Sequence, residues 1–141
     1  MSPDQIFPIV NLVALLAWML LALFPGRRAV THVVAGTAVP AALAALYAVI
    51  VAAAWSTSPG GFSSLQEVAT LFGNPWLLLA GWIHYQAFDL LIGTWEVRDA
   101  REHGVPHAFV LPCLALTFLF GPAGWLLYRG VRASFTGSRR P

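Results

Sequence analysis

Residues 81–100 read GWIHYQAFDLLIGTWEVRDA, an apolar run with a histidine and a carboxylate near its centre. A lipid bilayer has a hydrocarbon core about 30 Å thick, and about 20 helical residues are needed to cross it. A run of this kind fits such a span, yet His84 and Asp89 lie where lipid would surround them. Because an Asp at the centre of a span costs at least about 2.5 kcal/mol, its presence there indicates a functional site.

The composition of the whole chain also indicates a membrane protein. Its 141 residues are 58% hydrophobic and only 10% charged, whereas a soluble domain has about 25% charged residues. The chain has no lysine, and its arginines lie beside apolar runs. This favours contacts with membrane lipid over nucleic acid, which calls for a basic patch on a polar face. The single cysteine, Cys113, excludes a disulfide framework and a cysteine-rich metal site.

Four apolar segments are long enough to cross a bilayer. They cover residues 6–24, 30–55, 75–97 and 106–132. We therefore predict an all-α fold, an integral membrane four-helix bundle that forms one domain over residues 1–141. Asn74 followed by Pro75 is typical of the start of a helix. Pro40 is expected to kink the second span.

Two further segments predict local structure between and within the spans. Gly36 lies in an Ala-rich stretch of the second span, where it would let a neighbouring backbone approach closely. Between the second and third spans, apolar residues recur at helical spacing and predict a short interfacial helix. These residues are Leu65, Val68, Leu71 and Phe72.

The arginines do not favour an orientation if the chain crosses the membrane four times. The first and third connections would share one face, with Arg27, Arg28, Arg98 and Arg101. The C-terminal end would lie on the other face, with Arg129, Arg132, Arg139 and Arg140. The positive-inside rule compares such counts, and here they are equal.

The polar residues of the third span form a stripe along one side of the helix. Asp89 and Glu96 lie ~20° apart around the helix and ~10 Å apart along it. Tyr85 and Gln86 precede Asp89 by one turn, close enough to hydrogen-bond it, and Gly93 would leave space beside it. Candidate partners on the other helices are Asn11, His32 and Thr37.

His84 lies off this stripe, rotated by ~140° and displaced by ~7.5 Å from Asp89. The two residues could face two neighbouring helices or flank an elongated ligand, and could then supply an acid and a base, because histidine exchanges protons near neutral pH. The alternative is structural, with Asp89 held by hydroxyl groups and His84 by a backbone carbonyl. For Asp89 we favour a function because an intramembrane carboxylate is costly; for His84 both interpretations stay open.

The residues after the third span resemble a set of metal ligands. They are Glu96, Asp99, Glu102, His103 and His107. However, Gly104 and Pro106 predict that the helix ends there, and Arg98 and Arg101 lie among the acidic residues. We therefore interpret the group as salt-bridged charges at the membrane surface and predict no metal site.

Three motifs resemble the abscisic acid-deficient four-like family of small four-span membrane proteins. They are GWIHYQAFDL at 81–90, EVRDA at 96–100 and FGPAGWLLY at 120–128. Trp82-Ile83-His84 followed by Asp89 is the more specific part, and the similarity extends over about residues 7–132. The plant plastid member of this family is required to make neoxanthin from violaxanthin.

The resemblance implies a long, flat, apolar xanthophyll ligand that ends in an epoxide. An acid would protonate the epoxide oxygen, and a base would remove a proton from the polyene to form an allene. The reaction is an isomerisation and requires no cofactor. The resemblance implies His84 and Asp89 as the catalytic residues. The predicted ligand-binding residues are Trp82, Tyr85, Gln86, Phe88 and Glu96.

The predicted location is a membrane, that of a bacterial cell, and the predicted partners are membrane lipid and a carotenoid or related isoprenoid. Two other functions fit the same residues. One is a non-catalytic membrane bundle that binds an isoprenoid or delivers it to another protein. The other is a small proton-coupled transporter that uses Asp89. Assembly into a homo-oligomer is compatible with each of them.

Overall fold

The computed structural model describes residues 1–137, which form α-helices joined by short segments and contain no strand. The helices are α1 (Pro3–Leu23), α2 (Val39–Ala54), α3 (Leu65–Phe72), α4 (Pro75–Glu102), α5 (His107–Phe120) and α6 (Pro122–Thr136). A π-helical segment, Ala29–Ala38, runs directly into α2, and a 3₁₀ turn, Trp55–Thr57, follows it. The prediction of an all-α fold is confirmed for these residues.

Short polar side chains fix the starts of two helices, and one of them, Asn74, confirms the start that the sequence predicts. The Ser64 hydroxyl accepts a hydrogen bond from the backbone N–H of Glu67 at 3.2 Å and caps α3. Asn74 Oδ1 accepts from the N–H of Trp76 at 2.9 Å and caps α4. At the other end of α4 the chain turns at Gly104, whose φ of 68° lies in the left-handed region that favours glycine.

α4 is the central helix and packs against all the other helices. Its buried positions therefore include polar residues, among them Gln86, Asp89, Thr94, Glu96 and Asp99. The π-helical segment approaches it closely where the Thr94 hydroxyl donates to the carbonyl oxygen of Ala35 at 3.2 Å. This contact lies next to Gly36, the residue expected to allow a close approach. Pro40 lies in the first turn of α2, where the π-helical segment gives way to α-helix.

Two of the described helices are long and apolar enough to cross a membrane, judged by length and composition. They are α1 and the continuous helix Ala29–Thr57. α4 is also long, with 28 residues, but it has charged residues near its end. Large apolar side chains cover the outside of the fold: Leu12 is 57% exposed, Val49 66% and Leu126 67%.

The segment predicted as the fourth span folds into two helices, α5 and α6, instead of one. Gly121 lies between them with a φ of 35°, a conformation that favours glycine. Phe109, near the start of α5, packs against Phe135, near the end of α6, with ring centroids 5.2 Å apart. The two helices therefore form an antiparallel hairpin. Residues 107–128 are apolar almost throughout, so the hydropathy pattern does not reveal that the chain reverses direction between α5 and α6.

Candidate functional site

The tip of the α5–α6 hairpin lies against Asp89, in the middle of α4. A Cβ atom on Gly121 would be 2.6 Å from Asp89 Oδ1, so a glycine is needed where the carboxylate meets the turn. Asp89 is 8% exposed, and its Oδ2 atom has no hydrogen-bond partner among the described residues. A cavity of about 230 Å³ adjoins it, lined in part by Ile92 and Trp125. Buried polar atoms normally have partners, and this oxygen adjoins a cavity, so Asp89 is a candidate contact for a ligand.

Tyr85, one turn before Asp89, connects it with a larger groove. The Tyr85 hydroxyl donates a hydrogen bond to the carbonyl oxygen of Phe118 at 3.1 Å and lies near the Asp89 carboxylate. The ring of Tyr85 lines an apolar groove of about 580 Å³, which we call the first groove. Its other lining residues include Phe7, Phe72, Leu78, Gly81 and Trp82.

Aromatic rings form one wall of the first groove. The ring centroid of Trp82 lies 5.5 Å from that of Phe7 and 5.4 Å from that of Tyr85. Trp82 is held in place because its indole N–H donates to Asn11 Oδ1 at 2.7 Å. Flat aromatic walls of this kind suit an apolar, unsaturated ligand.

Gln86 does not contribute to the Asp89 site. Its amide Nε2 donates to Asn11 Oδ1 at 3.2 Å, so the side chain faces α1 and not Asp89, one turn further along. Of the three candidate partners, Asn11, His32 and Thr37, Asn11 is the one that hydrogen-bonds a residue of the polar stripe, Gln86. Thr37 instead donates to the carbonyl oxygen of His32 at 2.8 Å, within its own segment.

His84 lines a second groove, on a different side of α4 from Asp89. This second groove has a volume of about 270 Å³ and is also lined by Tyr47, Trp55, Phe72 and Gly81. The His84 ring stacks on Phe88, with centroids 4.6 Å apart, and lies 5.7 Å from the ring of Tyr47. The structure therefore places the two predicted catalytic residues in separate surroundings, as their offset on the helix requires.

Glu96 lies two turns beyond Asp89 and is fully buried, with 0% exposure. Its Oε1 accepts a hydrogen bond from the Thr117 hydroxyl of α5 at 2.9 Å, and its Oε2 has no partner among the described residues. The space expected beside Gly93 is filled, because the indole ring of Trp18 from α1 packs directly against this glycine. Glu96 therefore contacts the hairpin and lies apart from both grooves.

A polar cluster at the end of α4, centred on Asp99, holds α6 of the hairpin against α4. The Tyr128 hydroxyl donates to Asp99 Oδ2 at 2.5 Å, and Arg132 forms a salt bridge with the same oxygen at 2.9 Å. Arg132 also contacts His103 Nε2 at 2.6 Å. Within residues 1–137, no group of three or more His, Cys, Asp or Glu side chains is arranged to hold a metal ion. Asp99 thus pairs with an arginine, although sequence reasoning did not identify Arg132 and Tyr128 as its partners.

The comparisons with known proteins give one match. A family model described as ABA DEFICIENT 4-like matches residues 5–128, which is most of the chain and includes Tyr85, Asp89 and His84. Neither the curated proteins nor the solved structures contain a match to this chain.

Proposed function

The chain belongs to the ABA DEFICIENT 4-like family, and we propose that it is an integral membrane protein that binds a carotenoid or related isoprenoid and isomerises it by acid–base chemistry. The single observation that carries the proposal is the first groove. Its aromatic wall ends at Tyr85, which adjoins the buried carboxylate of Asp89. An apolar pocket with a few convergent polar groups is the usual form of a small-molecule site.

In the proposed membrane arrangement, three helices cross the bilayer, and the hairpin enters it without crossing. The crossing helices are α1, Ala29–Thr57 and α4. With 28 residues, α4 is about 42 Å long at 1.5 Å per residue. α5 and α6 have 14 and 15 residues, so they are about 21 and 23 Å long, less than the 30 Å of the hydrocarbon core. Irregular backbone is tolerated at that depth where protein covers it, and Gly121, at the hairpin tip, is buried against Asp89 of α4.

This arrangement gives the chain a single favoured orientation. The hairpin returns to the face where α4 ends, so Arg129 and Arg132 join Arg27, Arg28, Arg98 and Arg101 there. Contacts across that face support the grouping: Arg101 donates to the carbonyl oxygen of Pro25 at 3.2 Å. Asp4 and Glu67 lie at the opposite face. Arg139 and Arg140 lie outside the described residues. By the positive-inside rule, the arginine face is cytoplasmic.

Labelling of single cysteines tests the hairpin. In a Cys113→Ser background, we expect Ser134→Cys on α6 and Arg28→Cys to react with a membrane-impermeant maleimide from the same face. Ser63→Cys, in the connection before α3, should react from the opposite face. All three positions are exposed in the fold. Reaction of Ser134→Cys from the same face as Ser63→Cys would mean that residues 106–132 cross the membrane completely.

The proposed chemistry is a balanced isomerisation at an epoxide end group. An acid protonates the epoxide oxygen as its C–O bond breaks, and a base takes a proton from the polyene, whose electrons form the allene. One proton is given and one is taken, so no oxidant or reductant is consumed. We assign these proton transfers to Tyr85, which lines the first groove, and to Asp89, which lies behind it beside the smaller cavity. His84 is the second proton-exchanging group for a ligand that reaches both grooves.

Mass spectrometry of the protein purified from a carotenoid-producing host tests the binding. We expect an isoprenoid in near-stoichiometric amount with the wild type and much less with Leu78→Trp, because the added indole fills the first groove. Leu126→Trp is the matched control. Both leucines are on the apolar exterior, 57% and 67% exposed, but only Leu78 lines the groove. Bulk phospholipid alone in all three samples would contradict the proposal.

A further inference from the structure

The two grooves on α4 are separated at one contact, the ring of Phe72 against Gly81. These two residues are the ones that line both grooves. Phe72 is the last residue of α3, and its side chain folds back onto α4. A Cβ atom on Gly81 would lie 2.8 Å from Phe72 Cε1, so the ring rests directly on the helix backbone. Any larger residue in place of Gly81 would push the ring away.

Gly81 has no side chain and leaves a gap in the outer surface of α4, which we call the notch. At 100° per residue, Tyr85 and Leu78 lie ~40–60° to one side of position 81, and His84 and Leu77 lie ~40–60° to the other. Position 81 is therefore on the ridge between the two grooves. Without the Phe72 ring, the missing side chain at Gly81 would leave a passage over this ridge.

Aromatic side chains continue on both sides of the notch. Phe7, Trp82 and Tyr85 form a series in the first groove. Tyr47, His84 and Phe88 form a series next to the second groove. The second groove, at about 270 Å³, is smaller than the usual ligand pocket of about 300–1,000 Å³. If the two grooves were joined, the second would form one end of a long slot whose total volume lies within that range.

We propose that Phe72 is a specificity-determining residue that separates the two grooves, and that an elongated conjugated isoprenoid displaces its ring and lies across α4 in the notch at Gly81. This inference rests on the proposed function. A short polyene fits the first groove alone and leaves Phe72 in place. A long polyene occupies both grooves and meets Tyr85 on one side of α4 and His84 on the other.

The position of Phe72 is compatible with such a displacement. The residue is 39% exposed and ends the short helix α3. Gly73 follows it directly. A rotation of the Phe72 side chain therefore need not move the central helix. The ligand would replace the contact of the ring with Gly81 by its own flat chain.

Binding of two polyenes of different length tests this role. The probes are retinol and the longer β-carotene, titrated into the purified protein in detergent micelles and followed by quenching of tryptophan fluorescence. Phe72→Ala should raise the affinity for β-carotene by about tenfold and leave that for retinol nearly unchanged. Phe72→Leu, the milder variant, should give an intermediate increase and guards against loss of folding. Phe24→Ala is the matched control, since Phe24 is 40% exposed and lines neither groove.

A double variant closes the passage again. Gly81→Leu in the Phe72→Ala background puts a side chain in the notch, and we expect it to remove the gain for β-carotene while retinol still binds. If Phe72→Ala changes both affinities equally, or changes neither, Phe72 does not separate the grooves. The proposal that the protein binds an isoprenoid is not contradicted by that result. If neither polyene binds to the wild type or to any variant, the proposed function fails together with this inference.

Discussion

Replacing Gly124 with alanine is expected to force α6 away from α5 and to destabilise the folded protein by about 2–3 kcal/mol. An added Cβ would overlap both the backbone nitrogen and the hydroxyl oxygen of Thr117. Backbone atoms cannot rotate aside as the end of a side chain can, so the helices must separate. The hydrogen bond from Thr117 to Glu96 would then be strained, which adds to the loss.

Gly130→Ala on the same helix is the matched control. Nothing lies within 4 Å of a Cβ atom at this position, and alanine is a better helix former than glycine by about 1 kcal/mol. We therefore expect this variant to be as stable as the wild type or slightly more stable. Unfolding of the purified variants in mixed micelles of increasing SDS content measures the difference. Equal stability of Gly124→Ala and Gly130→Ala would show that α5 and α6 are not in close contact in the membrane.

Much of the helical framework follows from local sequence signals. The Asn74-Pro75 start of α4 and the apolar spacing that defines α3 are read from neighbouring residues, and the structure contains both. A helix cap depends on a few consecutive residues, so one sequence is enough to find it. The same holds for the end of α4 near Gly104.

The hairpin could not be found in this way because it depends on contacts between residues far apart in the chain. Hydropathy treats residues 106–132 as one apolar run. The only local sign of the reversal is Gly121-Pro122, which also occurs in kinked helices. Arg129 and Arg132 do not distinguish a reversal from a complete crossing, because about 20 helical residues from position 107 already cross the hydrocarbon core and would leave both arginines at its far surface.

The candidate site was predicted in part. The helical period correctly separates His84 from Asp89, and it places Tyr85 next to Asp89, as the structure shows. It cannot show which neighbour fills a space or accepts a hydrogen bond. For that reason the sequence gives no sign that Trp18 packs on Gly93 or that Gln86 pairs with Asn11. The role of Phe72 depends equally on how α3 folds back over α4.

Replacing Asp89 with asparagine is the change with the largest expected effect on the proposed reaction. Asparagine has nearly the same shape, so the hairpin tip at Gly121 should still fit, but its amide cannot give or take a proton. Loss of an acid–base group lowers a rate by about 10²–10⁴. We expect the variant to keep its bound isoprenoid and to lose formation of the allene from violaxanthin in a host that makes this epoxide, measured by chromatography and mass spectrometry.

The matched control for Asp89→Asn is Glu102→Gln, which neutralises an exposed carboxylate at the end of the same helix and should leave the product unchanged. The pattern of ligand and product distinguishes the possible roles of Asp89. Product lost with ligand retained supports an isomerase. Ligand retained by both variants, with no product even from the wild type, supports a protein that stores or delivers the isoprenoid. Undiminished product from Asp89→Asn would mean that the buried carboxylate only holds the hairpin, because the chemistry would then proceed without its proton.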